Sequence, residues 1–117
     1  EVPLYWKHES GLEVTKLFTF YRDSYIVKVA YLINNHSSED WAGHQYAQFQ
    51  RTPPLESEKS SFIHTYTGGV LSTPEDPYQK ISFDDMLETP LGKDVEGGWS
   101  AMLQHYFVSA WLPDADV

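Results

Sequence analysis

The chain has 117 residues, with 8 Lys and Arg against 17 Asp and Glu, so its formal net charge at neutral pH is −9. It has no Cys, which excludes disulfides, thiolate zinc sites, iron–sulfur clusters and thiol nucleophiles. The negative charge argues against general binding to nucleic-acid phosphates and against electrostatic docking on anionic lipids.

Length and composition predict one folded, soluble domain, because 41% of the residues are hydrophobic and 15% are aromatic. We find no segment with the pattern of a transmembrane helix or of a signal peptide. A start at Glu1 rather than at Met suggests a processed chain or an excised piece of a longer one.

The first half of the chain predicts a β-hairpin over residues 14–33. Residues 14–21 are rich in Thr, Val and Phe, and a polar connector, residues 22–24, separates them from residues 25–33. β-Branched and aromatic residues dominate both arms, as is typical of strands. At a period of two, five large apolar side chains of the second arm share one face: Tyr25, Val27, Val29, Tyr31 and Ile33.

The middle of the chain predicts two further strands. Residues 34–40 form a polar loop, and residues 41–51 then alternate in a way that suits a strand covered on one side, ended by Pro53 and Pro54. Residues 56–61 are charged and expected to be exposed. Residues 62–67 predict a short strand that ends at Gly68 and Gly69, which we interpret as a turn or a bulge.

Residues 72–76 resemble a helix start, with a hydroxyl for the cap, a proline and two acids, but Pro77 would stop it early. Residues 78–83 predict a strand and residues 83–87 a brief turn or helical turn. Gly97 and Gly98 predict another turn or bulge.

Residues 99–112 are ambiguous. Their large apolar residues recur at helical spacing, which favours an amphipathic helix. The same residues are aromatic enough for a pair of strands with a break near Gln104. The stripe comprises Trp99, Met102, Leu103, Tyr106, Phe107, Ala110 and Trp111.

No catalytic motif is present. The five histidines do not have metal-ligand spacing, and His64, beside two glycines, is the one to examine first. The other four are His8, His36, His44 and His105. The adjacent acids at 75–76 and 84–85 would point to opposite faces of a strand, so we expect capping and solubility from them rather than glycoside chemistry. We therefore predict no catalytic residue, no metal ligand and no cofactor.

Two stretches carry a family resemblance. Residues 62–74 read Phe-Ile-His-Thr-Tyr-Thr-Gly-Gly-Val-Leu-Ser-Thr-Pro, and residues 97–113 read Gly-Gly-Trp-Ser-Ala-Met-Leu-Gln-His-Tyr-Phe-Val-Ser-Ala-Trp-Leu-Pro. Together with the hairpin they resemble the large periplasmic domain of the YidC/Oxa1 family of bacterial membrane protein insertases. The resemblance covers nearly all of the chain, and it implies that residues 1–117 are a single domain, an internal part of that larger domain.

The resemblance implies an all-β fold, part of a β-supersandwich similar to the galactose-mutarotase fold, with antiparallel strands and short helical turns. By this likeness, residues 99–112 are strand, with helix as the alternative. It also implies a non-catalytic role in an insertase that inserts and folds inner-membrane proteins, alone or with the Sec translocon.

The implied partners are the Sec accessory complex SecDF, SecYEG and nascent membrane proteins, with no nucleic acid. Contact with the membrane would come through flanking transmembrane helices outside this chain. The candidate partner-contact residues are Trp99, Met102, Tyr106, Phe107 and Trp111.

The alternative is a mutarotase-like sugar-binding or epimerase domain, which needs a His base and a carboxylate acid in one cleft. A cleft with His64 or His105 beside a carboxylate would favour this alternative. An apolar, charge-poor groove or an open sheet edge would favour a partner-binding module. Because only part of the larger domain is present, we expect exposed strand edges and pairing between copies.

Overall fold

A computed structural model describes residues 1–55, 65–89 and 91–113. The chain divides into two compact units, Glu1–Gln45 (unit 1) and Tyr46–Val117 (unit 2). The described residues form antiparallel sheets and a single short helix, which confirms the all-β class. The likeness to the galactose-mutarotase fold and the single-domain organisation stay predictions.

Unit 1 contains one three-stranded antiparallel sheet. Its strands are β1 (Val2–Lys7), β2 (Leu12–Phe20) and β3 (Val27–Asn35), in that order across the sheet. The predicted hairpin is confirmed as β2 and β3, although β3 runs two residues further than expected and begins two residues later. β1 was not predicted. It is joined to β2 by a tight turn in which Gly11 adopts a φ of +95°, a conformation that favours glycine.

The strand register gives the sheet of unit 1 one strongly apolar face. Val2, Leu4 and Trp6 of β1 lie opposite Phe18, Lys16 and Val14 of β2, which in turn face Val29, Tyr31 and Ile33 of β3. This confirms the predicted alternation of β3. The Lys16 ammonium lies 5.1 Å and 5.3 Å from the ring centroids of Phe18 and Tyr31, so the aromatic faces accommodate its charge.

Unit 2 contains a four-stranded antiparallel sheet in the order β5-β4-β6-β7. The strands are β4 (Gly68–Ser72), β5 (Gln79–Ile81), β6 (Trp99–Gln104) and β7 (Phe107–Trp111), and helix α1 (Phe83–Glu88) lies between β5 and β6 in sequence. Val70 and Ala101 are opposite each other in the two central strands and are 2% and 3% exposed. Full burial of a valine stabilises a fold by about 1.5–3 kcal/mol, so this pair anchors the sheet.

The strand predicted over residues 41–51 is wrong, because this segment forms no regular secondary structure. The indole of Trp41 lies over Gly43, in the space a side chain there would need. Further along, Phe49 packs its ring against Trp111 instead of entering a ladder. Residues 41–51 alternate in polarity but have few β-branched side chains, and Phe49 packs on a side chain of the sheet instead of forming a hydrogen-bonded strand.

The strand predicted over residues 62–67 is not found in the part that the structure describes, residues 65–67. Residues 62–64, including His64, and the charged stretch 56–61 lie outside the described residues, and residues 65–67 are not strand. The pairing begins at Gly68 and Gly69, so the interpretation of these two as a turn was wrong. Their missing side chains leave room for the Tyr66 hydroxyl and the Met86 methyl, which lie 2.5 Å and 2.6 Å from where their Cβ atoms would be.

The helix start predicted at residues 72–76 is also wrong. Thr73 instead closes a turn: its amide donates to the Asp76 carbonyl (2.9 Å) and its hydroxyl accepts from the Asp76 amide (3.0 Å). The strand predicted over residues 78–83 shortens to β5. The predicted helical turn is confirmed as α1, where Ser82 and Asp85 form a reciprocal capping box.

Residues 99–112 form two strands, so the strand reading is confirmed and the helix alternative is wrong. β6 and β7 pair around a two-residue turn, His105 and Tyr106, close to the predicted break. Gly97 and Gly98 precede β6 with φ values of +76° and +98°, which confirms the predicted turn.

Candidate functional site

The register of unit 2 separates the five predicted contact residues. Met102, Phe107 and Trp111 lie on one face of the sheet, which we call the cleft face, together with Ser100 and Ser109. Trp99 points to the opposite face, because it is an odd number of residues from Met102. Tyr106 lies in the turn and is exposed. The structure thus brings three of the five side chains together.

A cleft of about 350 Å³ lies over the cleft face. Its floor comes from β4, β5 and β6, and its walls come from residues 47–49, Met86 of α1 and Leu91. Of the described side chains that line it, none is charged. Gly69 lies in the floor, where the absence of a side chain lets the Met86 methyl come close to the sheet.

A second, smaller pocket of about 150 Å³ lies beside the β6–β7 hairpin. Met102, Phe107 and Ser109 form its base, and Phe49 and Arg51 contribute from the irregular segment. Phe49 lines both the cleft and this pocket, and its ring centroid is 6.2 Å from that of Trp111. Phe49 was not among the predicted site residues, because the alternation of residues 41–51 placed it on a strand, and no local pattern in the sequence marks it as part of the site.

Two buried polar atoms on the cleft face have no hydrogen-bond partner among the described residues, Trp111 Nε1 and Gln79 Oε1. Both belong to one row across the sheet, Gln79–Leu71–Ser100–Trp111, whose two middle members line the cleft. A buried polar atom without a partner costs about 1–3 kcal/mol. Both atoms are shielded from solvent, and neither Gln79 nor Trp111 lines the cleft.

Tyr66 fixes the β4–β5 edge of the site. Its hydroxyl donates to the Gly69 carbonyl (2.6 Å) and accepts from the Ile81 amide (3.1 Å). Burial raises the pKa of this hydroxyl above its ordinary value. The Lys80 ammonium lies 4.9 Å from the ring centroid.

The histidines that the structure describes do not form a catalytic pair in the cleft. His105 Nδ1 lies 2.7 Å from the Thr65 hydroxyl and not beside a carboxylate. A His–carboxylate contact does occur in unit 1, where His36 Nε2 is 3.8 Å from Glu13, but both side chains are exposed and Glu13 also binds Lys7. These positions, with the uncharged cleft, do not favour a sugar epimerase.

Within residues 1–55, 65–89 and 91–113, we find no cluster of three His, Asp or Glu side chains placed to hold a metal ion. The same residues contain no helix of sufficient length and apolarity to cross a membrane.

Comparison with known proteins adds independent evidence. A family model described as the YidC periplasmic domain matches residues 1–117. Curated proteins named "Membrane protein insertase YidC" are similar over nearly the whole chain. That of Alkalilimnicola ehrlichii is 43% identical over 114 residues, which is 97% of this chain and 20% of the relative. The protein of the same name from Methylococcus capsulatus is 46% identical over 116 residues, which is 98% of this chain and 21% of the relative. That of Shewanella piezotolerans is 48% identical over 113 residues, which is 97% of this chain and 21% of the relative. The chain thus spans about a fifth of the length of these relatives.

Proposed function

This chain belongs to the YidC periplasmic domain family, and from that membership we propose that it is a non-catalytic interaction module of a membrane protein insertase. The module lies on the periplasmic side of the bacterial inner membrane. It binds polypeptide partners while the membrane-embedded part of the same protein inserts and folds inner-membrane proteins.

The observation that carries the proposal is the uncharged cleft of unit 2. Of the described side chains that line this cleft, none is charged, and the lining is apolar apart from groups such as Gln48 and Ser100. Exposed apolar surface of this kind is typical of sites for protein partners.

We propose three classes of partner: nascent membrane proteins, the accessory complex SecDF and SecYEG. The first class is supported by the names of the relatives, since a membrane protein insertase acts on membrane proteins. The two Sec partners rest on the family resemblance. Binding to clients outside the membrane would give the module a chaperone-like role.

The net charge bears on how the module stays near the membrane. Anionic lipid attracts clustered Lys and Arg, and this chain has an excess of nine acidic residues. We therefore propose that flanking transmembrane helices of the parent protein hold it at the membrane, and that its own surface remains available for polypeptides.

Charge placed in the cleft tests this function in the full-length protein. Leu91 lines the cleft and is 49% exposed, so Leu91→Glu introduces a carboxylate without opening a core. Leu87→Glu on α1 is the matched control, because Leu87 is more exposed and lies outside the cleft lining. We expect Leu91→Glu to lower both SecDF co-purification and cross-linking to nascent chains, and Leu87→Glu to leave both unchanged. Equal effects of the two variants would contradict the proposal.

A further inference from the structure

The two methionines of the chain meet at one glycine in the floor of the cleft. The chain contains two methionines, Met86 and Met102, and both line the cleft. Met102 is the cross-strand partner of Gly69, so these two residues lie side by side on the cleft face. The Met86 methyl comes from α1 and lies 2.6 Å from where a Cβ of Gly69 would be. Both thioether side chains therefore reach the same part of the floor.

Met86 is the residue through which α1 contacts this floor. Of the six residues of α1, Met86 alone lines the cleft, and none of the six is fully buried. The other stabilising contacts of α1 are local: the capping box of Ser82 and Asp85, and the hydrogen bond from the Met86 amide to the Ser82 carbonyl (3.1 Å). A helix of this length is not stable by itself in water. The position of α1 over the cleft therefore depends on the apolar contact of Met86.

The space over Gly69 suits an apolar group and disfavours a polar one. The Ile81 carbonyl oxygen lies 3.5 Å from where a Cβ of Gly69 would be, and it already accepts a hydrogen bond from the Tyr66 hydroxyl (2.9 Å). A methyl or a thioether beside this carbonyl needs no hydrogen bond. An added acceptor oxygen on Met86 would lie beside another acceptor and would lose its hydrogen bonds to water. Oxidation of the thioether therefore favours withdrawal of Met86, and of α1 with it.

We propose that oxidation of Met86 by a peroxide is a reversible switch that displaces α1 and removes one apolar wall of the cleft. The sulfur lone pair attacks one peroxide oxygen, the S–O bond forms as the O–O bond breaks, and the leaving oxygen keeps a proton and departs as water. Sulfur loses two electrons and the peroxide gains them. The product, methionine sulfoxide, is polar and can be reduced enzymatically. The inference rests on the proposed function for its consequence, the loss of partner binding.

The first test locates the oxidation in the full-length protein that carries this chain. The protein is treated with hydrogen peroxide, and mass spectrometry of its peptides measures the sulfoxide at each methionine. Met86 lies on a short helix that opens locally, whereas Met102 lies inside β6, which is paired on both sides. We expect Met86 to be oxidised faster than Met102. No sulfoxide at Met86, or faster oxidation of Met102, would overturn the proposal.

The second test measures the displacement of α1 by hydrogen exchange of residues 83–89 before and after peroxide treatment. The amides of Met86 and Thr89 report directly, because they donate the helical hydrogen bonds of α1. We expect their exchange to become about tenfold faster after oxidation, while exchange at Ala101 in β6 stays unchanged. Methionine sulfoxide reductases should restore slow exchange. Unchanged exchange of α1 in a protein whose Met86 is oxidised would overturn the proposal.

Two variants assign the effect to one sulfur. Met86→Leu keeps an apolar side chain of similar volume but cannot be oxidised, so peroxide should no longer speed the exchange of α1. Met102→Leu is the matched control in the same cleft and should keep the full response. An undiminished response in Met86→Leu would overturn the proposal.

Partner capture separates the switch from the proposed function. Peroxide treatment should lower SecDF co-purification and nascent-chain cross-linking of the parent protein, and Met86→Leu should retain both after the same treatment. If Leu91→Glu lowers capture while oxidation of Met86 does not, the switch is refuted and the interaction module stands. If neither lowers capture, both are refuted.

Discussion

Replacement of Gly98 by alanine should destabilise unit 2 more than any other Gly→Ala change in the turn before β6. Gly98 has a φ of +98°, and a Cβ there would collide with the backbone carbonyl oxygen of Ser72. Ser72 pairs with Trp99, so the collision occurs where the β4–β6 ladder starts. The strained dihedral costs about 1–3 kcal/mol. Loss of one or two ladder hydrogen bonds adds about 0.5–1.5 kcal/mol each. We expect a total loss of about 1.5–6 kcal/mol in the free energy of unfolding.

Two neighbouring glycines separate these contributions. Gly97 has a φ of +76° but no atom within 4 Å of an added Cβ, so Gly97→Ala reports the dihedral cost alone, about 1–2 kcal/mol. Gly92 has open space and no positive φ, so Gly92→Ala should be neutral or stabilise by about 0.4–1 kcal/mol through the unfolded chain. We therefore expect the free energy of unfolding to be highest for Gly92→Ala, lower for Gly97→Ala and lowest for Gly98→Ala.

Urea unfolding, followed by tryptophan fluorescence and by far-ultraviolet circular dichroism, gives the free energy of unfolding for each variant. Hydrogen exchange of the Trp99 amide locates the effect at the start of β6. If Gly98→Ala were as stable as Gly97→Ala, the close approach of residue 98 to β4 would be wrong, and with it the position of β6 at the base of the cleft.

Four further outcomes follow from side-chain hydrogen bonds. Tyr66→Phe should cost about 1–3 kcal/mol, because a strand carbonyl and a strand amide lose their partner, whereas Tyr78→Phe at an exposed position should cost less than about 0.5 kcal/mol in the same urea titration. Because the folded-state pKa of Tyr66 is raised, its contribution is present below the ordinary pKa of 10.0 and is lost as the pH rises above that value; Tyr66→Phe should flatten this alkaline loss. Ser82→Ala should cost about 1 kcal/mol by removal of the helix cap. A side-chain hydrogen bond from Ser82 lowers the pKa of Asp85, and one from Lys7 lowers the pKa of Glu13. The contributions of these carboxylates to the free energy of unfolding are therefore present above their ordinary pKa values of 3.8 and 4.5. They are lost as the pH falls through the lower pKa values of the folded state. Acid titrations of Ser82→Ala and Glu13→Gln, monitored by circular dichroism, should each show a shallower loss of stability than the parent chain.

The parts of the fold that follow from local pattern were predictable. The β2–β3 hairpin joins two consecutive β-branched segments by a short connector, so both its pairing and its apolar face can be read from alternation alone. Helix α1 was predictable for the same reason, since Ser82 and Asp85 are three residues apart and cap it locally.

The parts that depend on distant contacts were not predictable from pattern. A Gly-Gly pair usually indicates a turn, but Gly68 and Gly69 are strand residues here because Tyr66 and Met86 occupy the space beside them. Trp111 and Phe49 are 62 positions apart, and only the folded sheet brings them together. The β6–β7 hairpin places its large residues at helical spacing by coincidence, and the family resemblance rather than the periodicity identified it as strand.

The same limit applies to the candidate site. Three of the five contact residues share a face because of the register around the turn at residues 105–106, while Trp99 falls on the other face. A helical interpretation would have grouped Trp99 with the rest. The smaller pocket beside the β6–β7 hairpin depends on residues 49–51, which the strand pattern did not place there.

The most direct test of the interaction module is a photocross-linking survey of the cleft in the full-length protein during insertion. Probes at Gln48 and Leu91 line the cleft, and probes at Glu75 and Lys93 are exposed controls outside its lining. We expect cross-links to membrane protein clients or to Sec components from the two cleft positions, and at most weak ones from the controls. Equal yields at all four positions, or none from the cleft, would contradict it.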